Sequence, residues 1–197
     1  MPAPLDEPPQ SRKTLRDRLI AERERFANSD RAATATAALA RSLHGVLQQI
    51  EPELLGVYWP VRSEFNAALA LQSDESAPNL RLALPLALPF VRRSPPQMEY
   101  RRWDGSTPRA IDECRIASSD GEVVVPDTVL VPCVGYTRDG YRLGYGGGFF
   151  DRWLALHPHV TTVGIAWSAQ QIDSAEFSPE AHDQALTLIV TEDGVIS

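Results

Sequence analysis

Apolar residues recur at helical spacing from Ser11 onward: Leu15, Leu19 and Phe26 share one side, and Arg12, Arg16, Arg23 and other arginines cover the rest. This predicts an amphipathic helix with Ser11 as its N-cap, its arginines forming a solvated face. An alanine-rich segment predicts a second helix, capped by Asp30 and running to about His44, with Gly45 as its break and His44 at the surface. Residues 54–58 form a short apolar run before Pro60, the first strand. Ser63 and Glu64 open the next helix over 65–71, which puts Glu64 in a first turn just past a strand's carboxyl end. That is where ligands sit in open α/β sheets, and equally where a glutamate complements the helix dipole.

Residues 81–88 and 98–103 read as two further strands; Pro85 marks an edge, a bulge or an early end in the first. The polar stretch 104–122 reads as an irregular surface excursion. Residues 128–131 give a β-branched strand, 149–156 a helix, and 160–166 and 186–190 two closing strands. Strands alternating with helices predict a layered α/β domain with a largely parallel sheet. Residues 1–10, with four prolines, read as a flexible tail, and 11–197 as a single domain.

Composition narrows the function. The chain has 197 residues and a net charge of −7, which argues against non-specific nucleic-acid binding. Of its basic residues only Lys13 is a lysine. Cys114 and Cys133 are far apart without metal-ligand spacing, as expected of free thiols in a reducing compartment. The sequence shows neither an apolar run of about 18 residues nor a signal peptide, so a cytoplasmic location is expected.

The chemistry concentrates in Gly140-Tyr141-Arg142-Leu143-Gly144-Tyr145-Gly146-Gly147-Gly148-Phe149-Phe150-Asp151-Arg152. A glycine-rich turn opening a helix aims backbone N–H groups at one point, and two arginines beside it suit phosphate. Asp151 is placed to hold the Mg²⁺ of a nucleotide. The stretch lacks the Lys-Ser/Thr pair of a Walker loop and the third glycine of a dinucleotide fingerprint.

From Arg142 to Arg152 this stretch resembles the signature of the 5-formyltetrahydrofolate cyclo-ligases. The resemblance extends to the basic first helix, to Tyr58-Trp59-Pro60 with Glu64, to Val129-Leu130-Val131-Pro132, to Val163-Gly164-Ile165-Ala166 and to Pro179-Glu180-Ala181-His182-Asp183. It implies a three-layer αβα sandwich related to ribose-5-phosphate isomerases and CoA transferases. It also implies ATP- and Mg²⁺-dependent closure of 5-formyltetrahydrofolate to 5,10-methenyltetrahydrofolate by a protein expected to be a monomer. By the same matching Arg142 and Arg152 are catalytic, and Asp151 and Asp183 bind metal. ATP falls to Arg12, Lys13, Arg16, Arg142, Leu143, Gly144, Tyr145, Gly146, Gly147, Gly148, Phe149 and Phe150, and folate to Trp59, Glu64 and Tyr145. Four places depart from the family pattern: Arg12 stands at a lysine position, Phe150 at a tyrosine, Thr187 at an aspartate, and residues 115–121 replace a Gly-Ile-x-Glu-Pro segment. They leave a second reading, a paralogue that binds folate and nucleotide with weakened turnover.

Overall fold

The computed structural model describes residues 11–72, 84–173 and 175–197. The expected tail, 1–10, and the start of the strand expected at 81 lie outside them. The helices are α1 (Arg12–Ala27), α2 (Ala32–Ile50), α3 (Ala67–Gln72) and α4 (Phe149–Leu156). The strands are β1 (Leu55–Gly56), β2 (Leu86–Arg93), β3 (Pro96–Trp103), β4 (Ala110–Ile111), β5 (Ala117–Ser118), β6 (Val123–Val124), β7 (Thr128–Pro132), β8 (Gly135–Tyr136), β9 (Arg142–Leu143), β10 (Thr161–Ile165), β11 (Leu188–Thr191) and β12 (Gly194–Ile196).

Eight strands form one sheet in the order β12-β11-β10-β7-β1-β2-β3-β6. The five from β11 to β2 are parallel, and antiparallel strands extend both ends. Both faces are covered, so the middle strands are apolar throughout rather than alternating. Leu130 and Val163 pack toward Leu39, Leu43 and Leu47 of α2 and Ala67, Ala68 and Leu71 of α3. Val129 and Val131 point the other way, toward Trp153 and Leu154 of α4. The result is three layers, α2 and α3 on one face and α4 on the other.

The topology places a crevice. β1 and β7 are neighbours, and the chain leaves them in opposite directions: β1 through α3 to β2 on one face, β7 through α4 to β10 on the other. Such a reversal opens a gap beyond the carboxyl ends of the two strands. α1 lies across this end, burying Leu15, Leu19 and Ile20 with Val134, Leu143, Ile172 and Phe177. Its approach is close enough that a Cβ at Gly135 would stand 2.6 Å from Leu19 and from Ile172.

Several local expectations are corrected. α2 runs through Gly45 to Ile50, because Val46 and Leu47 continue the buried stripe of Leu39 and Leu43 while a Cβ at Gly45 would face open space. Its N-cap position is Arg31, without a side-chain cap, rather than Asp30. His44 is buried, and its Nε2 lies 3.2 Å from the Ala70 carbonyl oxygen. The segment after β1 becomes helical only at Ala67, so Glu64 sits in a turn ahead of α3, not in its first turn. β2 starts after Pro85 and runs to Arg93, and the stretch 104–122 contains the small β4–β5 pair. Ser11 does cap α1, accepting from the Thr14 amide at 3.2 Å.

Candidate active site

Beyond β7 the chain turns through the β8–β9 hairpin, where Val134 N–H donates to the Leu143 carbonyl at 2.9 Å, and enters the glycine loop. Leu143 is buried under that loop against α1. Gly148 takes the left-handed conformation (φ 62°) and is the N-cap of α4. The first intrahelical bond belongs to Arg152, whose amide reaches the Gly148 carbonyl at 3.2 Å. The amides of Phe149, Phe150 and Asp151 precede it at the positive end of the helix, an arrangement suited to an anion. Arginines brace the loop from both sides. Arg16 Nε donates to the Gly144 carbonyl at 2.6 Å, and Arg152 Nη2 donates to the Gly147 carbonyl at 2.6 Å while lying 5.2 Å from the Phe149 ring centre.

The two expected metal ligands are linked through the chain at Gln184. Asp151 Oδ1 accepts from the Gln184 amide at 3.3 Å, and Asp183 is the preceding residue. Each carboxylate carries an arginine. Buried Arg142 reaches Asp151 Oδ1 at 2.9 Å and the Gln184 carbonyl at 3.2 Å, with its guanidinium 5.9 Å from the Phe150 ring centre. Arg12 reaches Asp183 Oδ2 at 2.5 Å and the Ser178 carbonyl at 2.9 Å, and lies 4.7 Å from the Phe177 ring centre. Burial pushes the Asp183 carboxyl up, but the hydrogen bonds from Arg12 and the Glu180 amide outweigh it and hold its pKa below the usual aspartate value. Among the described residues no group of three or more His, Cys, Asp or Glu could enclose a metal unaided. Both carboxylates are hard-oxygen donors of the kind Mg²⁺ takes one or two at a time, leaving its other positions to phosphate and water.

The crevice between β1 and β7 holds the other half of the site. The Glu64 side chain is buried, and its Oε2 accepts from the Val61 amide at 2.8 Å. Facing it is Arg23, also buried, with Nη1 3.8 Å from Glu64 Oε1. Arg23 Nη2 donates to the hydroxyl of Tyr145, a residue of the glycine loop that is otherwise exposed. Burial raises the Glu64 pKa, while the Val61 amide, Arg23 and the nearby Tyr145 hydroxyl act against that rise. The Tyr145 hydroxyl is pushed up to about 12, by burial first and then by Glu64. A small cavity opens here, walled by Tyr58, Glu64, Phe65, Trp167, Gln170 and Arg23.

Sequence reasoning assigned Arg23 to the solvated face of α1, and the structure buries it. The signal was present: positions 12, 16 and 23 fall on one helical side, the side that meets the loop. Lys13 points elsewhere, its side chain 83% exposed and paired with Asp17 at 2.9 Å. Trp59 is half-buried and edge-on to Trp103, with ring centres 6.2 Å apart. Gln170, not singled out in the sequence, is buried at the cavity wall, with its Nε2 on the Val134 carbonyl and its Oε1 accepting from the Trp167 amide at 3.2 Å.

Cys133 closes the floor of the same cavity, and burial pushes its thiol up to about 12. A thiol held protonated is a poor nucleophile. With a disulfide reagent near pH 8 the native protein is therefore expected to titrate one thiol, the half-buried Cys114, and to titrate Cys133 only in denaturant. Two fast-reacting thiols in the native protein would contradict the packing around Cys133.

Residues 8–192 match the model of the 5-formyltetrahydrofolate cyclo-ligase family. A 5-formyltetrahydrofolate cyclo-ligase of Mycolicibacterium smegmatis is 29% identical over 191 residues, 93% of this chain and 94% of that protein. One from Mycoplasma pneumoniae is 40% identical over 68 residues, 34% of this chain and 40% of that one. Among solved structures, a 5,10-methenyltetrahydrofolate synthetase of Mycoplasma pneumoniae superimposes with a TM-score of 0.69 at 22% identity, covering 93% of this chain and 99% of that one. The Aquifex aeolicus 5,10-methenyltetrahydrofolate synthetase gives 0.67 at 24% identity, covering 93% and 91%. The chain belongs to the 5-formyltetrahydrofolate cyclo-ligase family.

Proposed function

We propose that this cyclo-ligase closes 5-formyltetrahydrofolate to 5,10-methenyltetrahydrofolate with magnesium-bound ATP, binding the nucleotide at the glycine loop and the pterin at Glu64. One observation carries the reading: Tyr145 belongs to the glycine loop, yet its hydroxyl meets Arg23 beside Glu64. A phosphate-type cradle and a buried carboxylate are thus joined through one side chain, which supports a nucleotide site next to a pterin site.

The formyl group on N5 is a poor electrophile and its oxygen a poor leaving group. Transfer of the terminal phosphoryl group of ATP to that oxygen releases ADP and gives an iminium-like phosphate. N10 then attacks the former formyl carbon and loses its proton to solvent. The carbon–oxygen bond breaks with its electron pair going to phosphate, and the five-membered ring is closed. Catalysis of this kind rests on positioning and charge stabilisation. The first-turn amides of α4, with Arg16, Arg142 and Arg152, supply donors to the phosphates. Arg12 takes the role that the family gives a lysine; its contact with Asp183 supports it over the solvent-facing Lys13. Asp151 and Asp183 would hold Mg²⁺, which when bound neutralises charge on the phosphate oxygens. Glu64 accepts from the N–H edge of the pterin. The two free cysteines support a reducing, cytoplasmic setting.

The test is the near-ultraviolet absorbance of methenyltetrahydrofolate on mixing protein, 5-formyltetrahydrofolate and Mg-ATP. Product growth that depends on both ATP and Mg²⁺ is expected. Folate binding without product would favour the weakened paralogue instead. In the same assay Trp59→Ala is expected to raise the folate KM about tenfold and leave that of ATP nearly unchanged, as for loss of one stacking face. Equal effects on both KM values would remove Trp59 from the folate site.

A further inference from the structure

Buried polar groups in a folded protein are nearly always paired, so those left unpaired beside a cavity point to a bound water or to a ligand group that takes its place. Among the buried side-chain nitrogen and oxygen atoms without a hydrogen-bond partner are Nε and Nη1 of Arg23 and Oε1 of Glu64. All three belong to residues walling the cavity at the carboxyl ends of β1 and β7. The other polar atoms of this pair are engaged: Arg23 Nη2 on the Tyr145 hydroxyl, Glu64 Oε2 on the Val61 amide. The two side chains approach to 3.8 Å, an ion-pair contact too long for a hydrogen bond.

What remains is a fixed pattern, guanidinium donors next to one carboxylate acceptor. Its complement is a ring edge carrying a carbonyl acceptor next to an N–H donor, the edge of a cyclic amide. A 2-amino-4-oxo pterin has that edge at O4 and N3–H. A 2,4-diamino ring inverts it, offering an amino donor toward the arginine and a bare nitrogen toward the carboxylate.

We propose that Arg23 donates to the 4-oxo group of the pterin while Glu64 accepts from N3–H, so that Arg23 is the residue that distinguishes 4-oxo from 4-amino folates. The inference rests on the assignment of the pterin to Glu64. It reaches past that assignment, because a carboxylate alone reads only the donors of the ring. Arg23 arrives from α1, a helix whose packing under the glycine loop fixes the guanidinium plane through Tyr145. A site built around a hydrogen bond rejects the analogue that cannot make it, since its buried groups are then left unpaired.

The experiment compares 5-formyltetrahydrofolate with its 4-amino-4-deoxy counterpart, by calorimetric binding to the full chain without ATP. The wild-type protein is expected to prefer the 4-oxo ligand by 100-fold or more, roughly the worth of two mismatched charged hydrogen bonds. Arg23→Met is expected to weaken the 4-oxo ligand about 30-fold and leave the 4-amino ligand within about threefold. Arg23→Lys keeps a charge opposite Glu64, and with it the fold, but loses the planar fork; it is expected to narrow the preference at least fivefold. A wild-type protein indifferent to the exchange, or variants that weaken both ligands alike, would overturn the proposal and leave Arg23 a support for Glu64. Absence of wild-type binding to 5-formyltetrahydrofolate would instead remove the pterin assignment itself, an outcome the absorbance assay reads independently.

Discussion

Asp151→Ala is expected to lower ATP-dependent turnover about a thousandfold, the equivalent of roughly 4 kcal/mol of stabilisation of the transferring phosphoryl group. The side chain does two things. As a hard-oxygen donor in the first turn of α4 it is one of the two carboxylates proposed for Mg²⁺. As the partner of buried Arg142 at 2.9 Å it also neutralises a charge that is nearly out of water, since the Arg142 side chain is only 4% exposed. Removing one member of such a pair costs about 3–5 kcal/mol of stability. The alanine variant alone would therefore confuse lost chemistry with lost fold. Asp151→Asn separates the two. The amide oxygen still accepts from Arg142 and from the Gln184 amide, so the loop stays in place, while the negative charge that a divalent cation needs is gone. The expected result is a folded asparagine variant with binding of 5-formyltetrahydrofolate intact and turnover reduced at least a hundredfold, only partly recovered by excess Mg²⁺. Wild-type turnover in that variant would take Asp151 out of the metal role.

How much of this was legible in the sequence follows from the range of each interaction. α4 could be read to its ends because the glycines, the apolar period of Phe149, Trp153 and Leu154, and the following His157-Pro158 are local signals. β7 and β10 were legible for the same reason: β-branched runs buried on both faces look like nothing else. β6 and β12 were not, because strands of two and three residues have no period, and they exist only where a longer neighbour offers an edge. Gly45 misled because glycine is costly inside a helix only by about 1 kcal/mol, which the buried stripe from Leu39 to Leu47 offsets. The candidate site divides in the same way. Its glycine-loop half is one continuous segment and was read from that segment. The half around Glu64 is assembled from α1, the turn after β1 and the end of β10, and nothing local at Arg23 says that Glu64 will face it. Arginine on an amphipathic helix is usually solvated, and only a carboxylate brought in by the tertiary fold makes its burial tolerable.

Glu64→Ala is expected to lower the melting temperature by about 10 °C and to abolish measurable folate binding. Arg23 is 2% exposed, and Glu64 is the acid that faces it, so deleting the carboxylate leaves a guanidinium with only the neutral Tyr145 hydroxyl. The cost of an uncompensated buried charge is about 3–5 kcal/mol, and for a chain of this length each kcal/mol moves the midpoint by roughly 2–4 °C. The double variant Arg23→Met with Glu64→Leu tests whether that cost is electrostatic. It removes both charges and fills similar volume with apolar atoms, a change that in buried pairs is often neutral or stabilising. The double variant is expected to regain most of the lost melting temperature while binding no 5-formyltetrahydrofolate. Stability that returns without binding would show that the fold tolerates this pair for the ligand it reads, whereas a double variant as unstable as Glu64→Ala would mean that the turn at Val61–Glu64, not the charge, is what the substitution breaks.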